Sequence, residues 1–246
     1  MKRLIRALVA LPFRVLPSAL RRRAVQAGVT ASAARDPRAA LRELLAIESD
    51  VRGAIDLSAM AYGEGVHVKH RLMRYHDFFV DRIRHGERVL DIGCGYGAVA
   101  HSIVERAGAA VVGVDLDSAK VAQARRRFPH DRLTFVTGEV PRDLPEGRFD
   151  VIVASNVLEH IEDRPRFLRE VQERAAPSRW LIRVPMINRD WHVPLRQELG
   201  LFHFSDPTHY VEYTAESFAA EMQNAGLRVA EQQVNWGELW AEVRGA

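Results

Sequence analysis

Residues 89–97 read Val-Leu-Asp-Ile-Gly-Cys-Gly-Tyr-Gly, a short apolar strand that runs into three alternate glycines. Glycine at 93, 95 and 97 lets the backbone turn tightly and approach a ligand without a Cβ in the way, and a following helix offers unpaired N–H groups. Eighteen residues beyond Gly97, at the end of the next apolar run, stands Asp115. A carboxylate in that place suits a ribose diol. Together these signals put a nucleoside-containing cofactor over the carboxyl edge of a parallel sheet, where open α/β sheets bind their ligands.

Outward from the loop the pattern alternates. Strands are expected at 88–92, 110–115, 133–137, 149–154 and 179–185, with helices at 98–107, 118–128 and 164–175. Such alternation specifies an α/β fold, Rossmann-like and doubly wound, with a mostly parallel sheet. A helix over 214–225, closed by Gly226, and strands around 228–235 and 238–243 bring the sheet to seven. Upstream, Asp36-Pro37 reads as an N-cap followed by proline at the first helical position. The helix it opens carries Leu41, Leu44, Leu45, Glu48 and Val51, and Gly53 is expected to end it. A second helix over 68–84 places Leu72, Tyr75, Phe79 and Ile83 on its buried face. Residues 35–85 therefore read as a helical lid over the cofactor, and 86–246 as the domain that holds it.

At 246 residues and 47% apolar content, the chain can bury one large core plus a helical extension. No apolar run approaches the roughly 18 residues of a membrane span. The one cysteine, Cys94, lies inside the glycine loop. That excludes a disulfide framework and a cysteine-rich metal site, and favours a reducing, cytoplasmic compartment. Charge is uneven: residues 1–34 hold seven Lys and Arg and no acid, so a chain of net +3 has a mildly acidic remainder of −4. Leu4, Ile5, Leu8 and Leu11 fall on one side of a helix flanked by Arg3 and Arg6, before Pro12 and Pro17. This arm, 1–34, reads as a short interfacial helix making peripheral membrane contact through residues 1–23, or as a solvated basic arm. A signal peptide fits less well, because the apolar core is brief and contains a proline.

The identity of the cofactor turns on detail. A dinucleotide fingerprint is Gly-x-Gly-x-x-Gly; here the spacing is Gly-x-Gly-x-Gly, and Asp91 would repel a pyrophosphate. It would attract the amino end or the sulfonium of S-adenosylmethionine. The stretch resembles motif I of the class I S-adenosylmethionine-dependent methyltransferases. The resemblance extends through Val111 to Asp117, similar to the family's second strand and ribose-binding acid, and through Thr137-Gly138-Glu139-Val140, similar to its adenine-contacting segment. It continues in Phe149 to His160, similar to the fourth strand and active-site edge. It implies S-adenosyl-L-methionine as donor, held by Asp91, Gly93, Cys94, Gly95, Gly97, Asp115, Leu116, Glu139, Val140 and Asn156, with Arg74 from the lid. Glu139 departs from the family's usual Asp. Asp150 is assigned to tying down the start of its strand.

Methyl transfer from a sulfonium requires alignment, exclusion of water and, for a hydroxyl acceptor, removal of a proton. His160, after the fourth strand, and His209, in the polar loop 206–214, are the candidate bases. Base methylation in nucleic acids is set aside: the family's amine-methylating enzymes carry Asp or Asn, two prolines and an aromatic where this chain reads Ser155-Asn156-Val157-Leu158. Cytosine C5 chemistry needs a nucleophilic cysteine that Cys94 does not supply. No metal is expected, since no carboxylate cluster of the catechol-methylating type stands out. Tyr62, His70 and Arg71 before the lid helix, with Arg183, Trp191 and Tyr213, are the candidate acceptor-binding residues. The expected activity is O-methylation of a small or glycan-type acceptor, lipid-linked where the basic arm meets a membrane. An N-methyltransferase acting on a small amine and a non-catalytic donor-binding regulatory module are the alternatives. Asp206-x-x-His209 with Tyr213-Thr214 also resembles methyltransferases of ubiquinone biosynthesis and of glycan or natural-product tailoring.

Overall fold

The structure, a computed structural model, describes residues 16–33 and 36–246. The amphipathic turn read from Leu4, Ile5, Leu8 and Leu11 lies outside them. Side-chain alternation along the central strands decides the layers. In β1 (Arg88–Ile92), β4 (Val151–Ser155) and β5 (Arg179–Pro185), Val89, Val151, Val153 and Leu181 face one core, and Leu90, Ile92, Ile152, Ala154, Trp180 and Ile182 face the other. Strands buried on both faces read as nearly continuous apolar runs. β2 (Ala110–Asp115) and β3 (Leu133–Thr137) extend the sheet on one side, β6 (Leu227–Asn235) and β7 (Glu238–Gly245) on the other. The order is β3-β2-β1-β4-β5-β7-β6, parallel except for β7, which runs antiparallel to both its neighbours. Chain direction across the sheet reverses between β1 and β4, so the crevice lies beyond their carboxyl ends.

N-terminal to the sheet lie α1 (Ser18–Ala33), α2 (Pro37–Tyr62), α3 (Lys69–Met73) and α4 (Tyr75–Val80). Helices α5 (Ala98–Ala107) and α6 (Ser118–Arg127) cover one face of the sheet together with α4, and α7 (Arg164–Ala175) and α9 (Ala215–Asn224) cover the other. Their starts follow from caps: Asp117 accepts from Ala119 and Lys120, Asp163 from Arg166, and Thr214 with Ser217 forms a capping box. Asp150 accepts the Arg88 N–H at 2.8 Å, which joins the starts of β1 and β4.

Three expectations are corrected. Gly53 does not end α2, which continues to Tyr62; an interior glycine costs only about 1 kcal/mol against alanine. The stop is Gly63, where a Cβ would overlap the Val66 carbonyl. The single lid helix is two, because Arg74 adopts a left-handed backbone at φ 53° between α3 and α4. That break lets Tyr75, Phe78 and Phe79 enter the core while Lys69 and His70 face the crevice. Finally, β4 begins at Val151, since the Phe149 N–H is taken by Ala175 O at 3.2 Å. The unexpected α8 (His192–Glu198) fastens α2: Arg196 donates to Leu45 O at 2.7 Å and pairs with Glu48 at 3.0 Å. No helix among the described residues is long and apolar enough to cross a membrane.

Candidate active site

The glycine loop leaves β1 with the N–H groups of Gly93 and Cys94 on Val114 O, at 2.8 and 3.0 Å. Gly97, at φ 80°, caps α5, and a Cβ there would lie 2.5 Å from the Phe135 ring, so the loop packs directly on β3. Gly95 differs. At φ 54°, a Cβ on it would meet no protein atom within 4 Å. The space before Gly95 is part of the cleft. Asp115, ending β2, accepts from the Gly95 N–H at 2.8 Å through one oxygen and from the Asp117 N–H at 2.9 Å through the other. The carboxylate thereby fixes the loop and its own orientation, with lone pairs left over for a diol.

Asp91 is 1% exposed and one of its oxygens has no hydrogen-bond partner. Burial, reinforced by the Asp115 charge, pushes its carboxyl up to about 8. An acid held neutral at physiological pH by the lack of a counter-charge fits a cationic ligand, which would restore its ionised form. The residues present therefore suit S-adenosylmethionine. Donor binding near pH 7 is expected to release a proton from Asp91, read calorimetrically as a binding enthalpy that varies with the ionisation enthalpy of the buffer. Asp91→Asn should abolish that dependence and weaken binding; a buffer-independent enthalpy in the unsubstituted protein would refute the assignment.

Two recesses flank the loop. The larger, about 750 Å³, is walled by Gly93, Gly95, Asp115, Leu116, Glu139, Val140, Asn156 and His160. The smaller, about 300 Å³, lies beneath the lid between Lys69, His70, Tyr75, Asp91, Cys94 and Arg183. Arg183 is buried, its guanidinium 3.6 Å above the Tyr75 ring and 3.4 Å from Glu238, with two nitrogens lacking a hydrogen bond. His70, bonded to Tyr75 and His76, is depressed to about 3 by burial and by its cationic neighbours.

Beyond β4, a 3-10 turn (Leu158–His160) and the 206–213 loop bring three side chains together. One ligating atom each of Glu159, His160 and His209 lies within 4.8 Å of the others. Glu159 is fully buried, and neither of its carboxylate oxygens has a hydrogen-bond partner. Burial pushes it up to about 7, against the pull of its own backbone N–H first, then of His209, of the Asn156 side chain and of Arg183. The two imidazoles meet edge to face at 4.6 Å. His160 Nδ1 bonds Thr208 Oγ1 at 2.9 Å, and Thr208 in turn donates to Asp206. His209 Nδ1 bonds Glu212 at 3.0 Å. Burial raises Glu212, but hydrogen bonds from His209 and Ser205 outweigh it and hold the carboxyl below its ordinary range. His160 is lowered, by burial first and then by His209.

Several sequence candidates sit elsewhere. Arg74 lines neither recess: its exposed side chain pairs with Asp77 at 2.8 Å, and its role is the left-handed turn. Tyr213 is in the core, donating to Glu221 at 2.5 Å, so it buttresses α9 and does not meet an acceptor. Trp191 is exposed against His192 and lines neither recess. Tyr62 and Arg71 border a separate shallow depression that His70 shares. Gly97 and Cys94 shape the loop, and the Glu139 carboxylate pairs with Arg142 at 3.0 Å on the cleft rim. Conversely, Glu159 is not among the sequence candidates, and Lys69, part of the polar cluster read from the sequence around His70, lines the smaller recess. Glu159 precedes His160 in a run whose register only the 3-10 turn decides.

A family model described as a methyltransferase domain matches residues 65–232. The chain belongs to this methyltransferase family. It is similar to a ubiquinone biosynthesis O-methyltransferase of Rhodopseudomonas palustris (strain BisA53), 29% identical over 155 residues, covering 60% of each chain. A mitochondrial ubiquinone biosynthesis O-methyltransferase of Schizosaccharomyces pombe is 33% identical over 102 residues, 39% of this chain and 37% of that one. The chain thus spans about half the length of the curated relatives it matches. The fold is shared with mitomycin 7-O-methyltransferase at TM-score 0.59 and 20% identity, over 75% of this chain and 56% of that one. The seven-stranded architecture is that of the class I S-adenosylmethionine-dependent methyltransferases, whose donor is S-adenosylmethionine.

Proposed function

We propose that the protein transfers a methyl group from S-adenosylmethionine to the hydroxyl of a small-molecule or glycan-type acceptor. The observation that carries the reading is that one cleft is walled both by the donor loop with Asp115 and by His160 of the Glu159–His160–His209 cluster. Bound there, the donor supplies an electrophilic methyl on a sulfonium, a leaving group that needs no acid. What the chain must do is align the acceptor, exclude water and take charge of the hydroxyl proton. Asp115 would hold the ribose and Leu116 with Val140 would flank the adenine. Asp91 would face the amino end of the donor, with Lys69 and Arg183 near its carboxylate in the smaller recess. A small amine would not call for a titratable cluster opposite the donor, and a regulatory module would need none. The relatives' names, O-methyltransferases of ubiquinone biosynthesis, support a hydroxyl acceptor.

The test is transfer of labelled methyl from donor to pooled hydroxyl acceptors, followed by mass analysis of the product. Labelled phenol, sugar or lipid-linked hydroxyl would sustain the reading; label found only on amines would overturn it.

The same reading places the protein at membrane surfaces through residues 1–23. Arg21, Arg22 and Arg23 stand exposed on α1. Each basic residue near an anionic surface contributes about 1 kcal/mol. The full chain should therefore sediment with anionic vesicles at low salt and be released by high salt. Equal sedimentation after removal of residues 1–23 would disprove that contact.

A further inference from the structure

We infer that the smaller recess, through Arg183, binds an oxyanion carried by the methyl acceptor, a carboxylate or a phosphate group. The inference narrows the acceptor class of the hydroxyl reading and rests on that reading for its role, but its binding evidence is separate.

The sheet sets the two ends of the recess. Asp91 stands on β1 and Arg183 on β5, with β4 between them, and both line the recess with Lys69, His70 and Tyr75 of the lid. Two strand spacings of about 4.8 Å each separate β1 from β5. In register, Asp91 lies beside Val153 and Arg183 beside Ser155, so Arg183 is also nearer the carboxyl edge. The ammonium and carboxylate of the donor share one carbon. With the ammonium on Asp91, both occupy the β1 end. Lys69 and Arg183 are two cations, and the donor's one carboxylate neutralises only one of them.

Arg183 itself is under-satisfied. It is 3% exposed, with Glu238 at 3.4 Å, the Tyr75 ring at 3.6 Å and the Tyr75 hydroxyl as its partners. Glu238 is shared, since it also accepts the Trp240 Nε1–H at 3.2 Å. Nε and Nη1 of Arg183 still lack a hydrogen bond. Desolvated donors without acceptors cost free energy, and a guanidinium presents its donors as a planar fork matched to carboxylate and phosphate.

The neighbouring groups register a positive field. His70 is depressed by burial first, then by His76, Lys69, Arg183 and His67. His76 is lowered to about 4, by burial and then by Arg183 and Arg106, against Asp77. Burial and Arg183 lower Lys69 as well, and Glu238, Asp56 and Glu159 oppose this only through space. Glu159, pushed up to about 7, is about half ionised at neutral pH and acts on His209 as well as on Arg183. Asp91 becomes an anion when the donor's ammonium reaches it. With the donor in place, Lys69, Arg183, the ammonium and the sulfonium face Glu238, Asp91 and the donor's carboxylate as full charges. An oxyanion on the acceptor supplies the missing one.

The role follows from position. An oxyanion held at the β5 end anchors the acceptor by a group that does not react, so its binding energy serves to align the hydroxyl with the donor's methyl. An acceptor without the oxyanion leaves the Arg183 donors unmatched, and a site built on buried polar groups discriminates strongly against such a ligand. A purely structural Arg183, tying the lid to β5 through Tyr75, would show no preference among acceptors.

The experiment is calorimetric titration of benzoate, phenyl phosphate and benzyl alcohol into full-length protein saturated with S-adenosylhomocysteine, which carries the donor's carboxylate and holds its place. Benzoate or phenyl phosphate is expected to bind at least about tenfold more tightly than benzyl alcohol, and the tighter of the two identifies the oxyanion. Arg183→Gln should remove the preference, with circular dichroism establishing that the fold persists. Arg183→Lys should restore part of it, because a point charge replaces the fork. Glu238→Gln removes the competing carboxylate and should tighten anion binding; unchanged or weaker binding would make the pair structural and overturn the inference. Equal binding of the three probes, anion binding only when S-adenosylhomocysteine is omitted, or a preference that folded Arg183→Gln retains overturns it as well. Methyl transfer to neutral hydroxyl compounds in preference to acidic ones does the same and leaves the hydroxyl reading intact. Label going only to amines, with the anion preference in place, overturns the hydroxyl reading and leaves the site.

Discussion

Gly95→Val is expected to lower affinity for S-adenosylmethionine and S-adenosylhomocysteine by more than about 100-fold while the protein stays folded. The reason is specific to this glycine. Added Cβ atoms at Gly93 and Gly97 would strike Val157 at 2.6 Å and Phe135 at 2.5 Å, so substitution there damages the packing of the loop. At Gly95 an added Cβ meets no protein atom within 4 Å apart from its chain neighbours, and the glycine lines the cleft, so the bulk would project into it. Its φ of 54° adds a strain of about 1–2 kcal/mol for a residue with a Cβ, a local cost well below the stability of an ordinary domain. Calorimetry for the ligand and thermal melting for the fold separate the two effects. If Gly95→Val binds the donor normally, the cleft before the loop is not the donor site. Tighter binding of a nicotinamide dinucleotide than of S-adenosylmethionine by the unsubstituted protein would contradict the family assignment at its root.

How much of this was legible from sequence depends on the range of the interactions. The strands could be read because buried parallel strands are apolar on both faces, and the loop because positive φ and close approach leave glycine little competition. Asp150, assigned to the start of its strand, is found there, bonded to the Arg88 N–H. The misreadings fall where local chemistry is permissive and distant contacts decide. Gly53 looks like a stop, yet it is Gly63, under the Val66 carbonyl, that stops the helix. Arg74 follows a helical pattern and nevertheless turns left-handed, because Tyr75 and Phe79 are drawn into the core. Tyr213 looks like part of a polar, acceptor-facing loop, but packing against Phe218 and bonding to Glu221 bury it. The largest omission is Glu159. His160 and His209 are 49 positions apart, and their meeting over a buried carboxylate depends on the 3-10 turn after β4 and on Tyr210 N–H reaching Glu159 O at 2.8 Å. No local pattern encodes that encounter.

That encounter also sets the second large effect. Replacing His160 or His209 by Gln is expected to lower turnover on a hydroxyl acceptor by about 10²–10⁴-fold, with affinity for S-adenosylhomocysteine nearly unchanged. The separation follows from geometry. Neither imidazole bonds the glycine loop, Asp91 or Asp115, and His160 lines the cleft from beyond β4. Loss of donor affinity and turnover together would instead signal structural damage, above all for His209, whose Glu212 partner is buried and also holds Arg189 and Ser205. The double substitution distinguishes the ways in which the pair could act. Two imidazoles in edge-to-face contact that act in one relay work as a unit, so removing both should cost little more than removing either, and the coupling between them should nearly equal the smaller single effect. A lone base gives a different pattern: one substitution costs the full factor and the other little, with additive effects. If neither single variant slows transfer more than about tenfold, alignment alone carries the reaction, the acceptor is an amine or is ionised before it binds, and the hydroxyl reading fails together with the role assigned to the cluster.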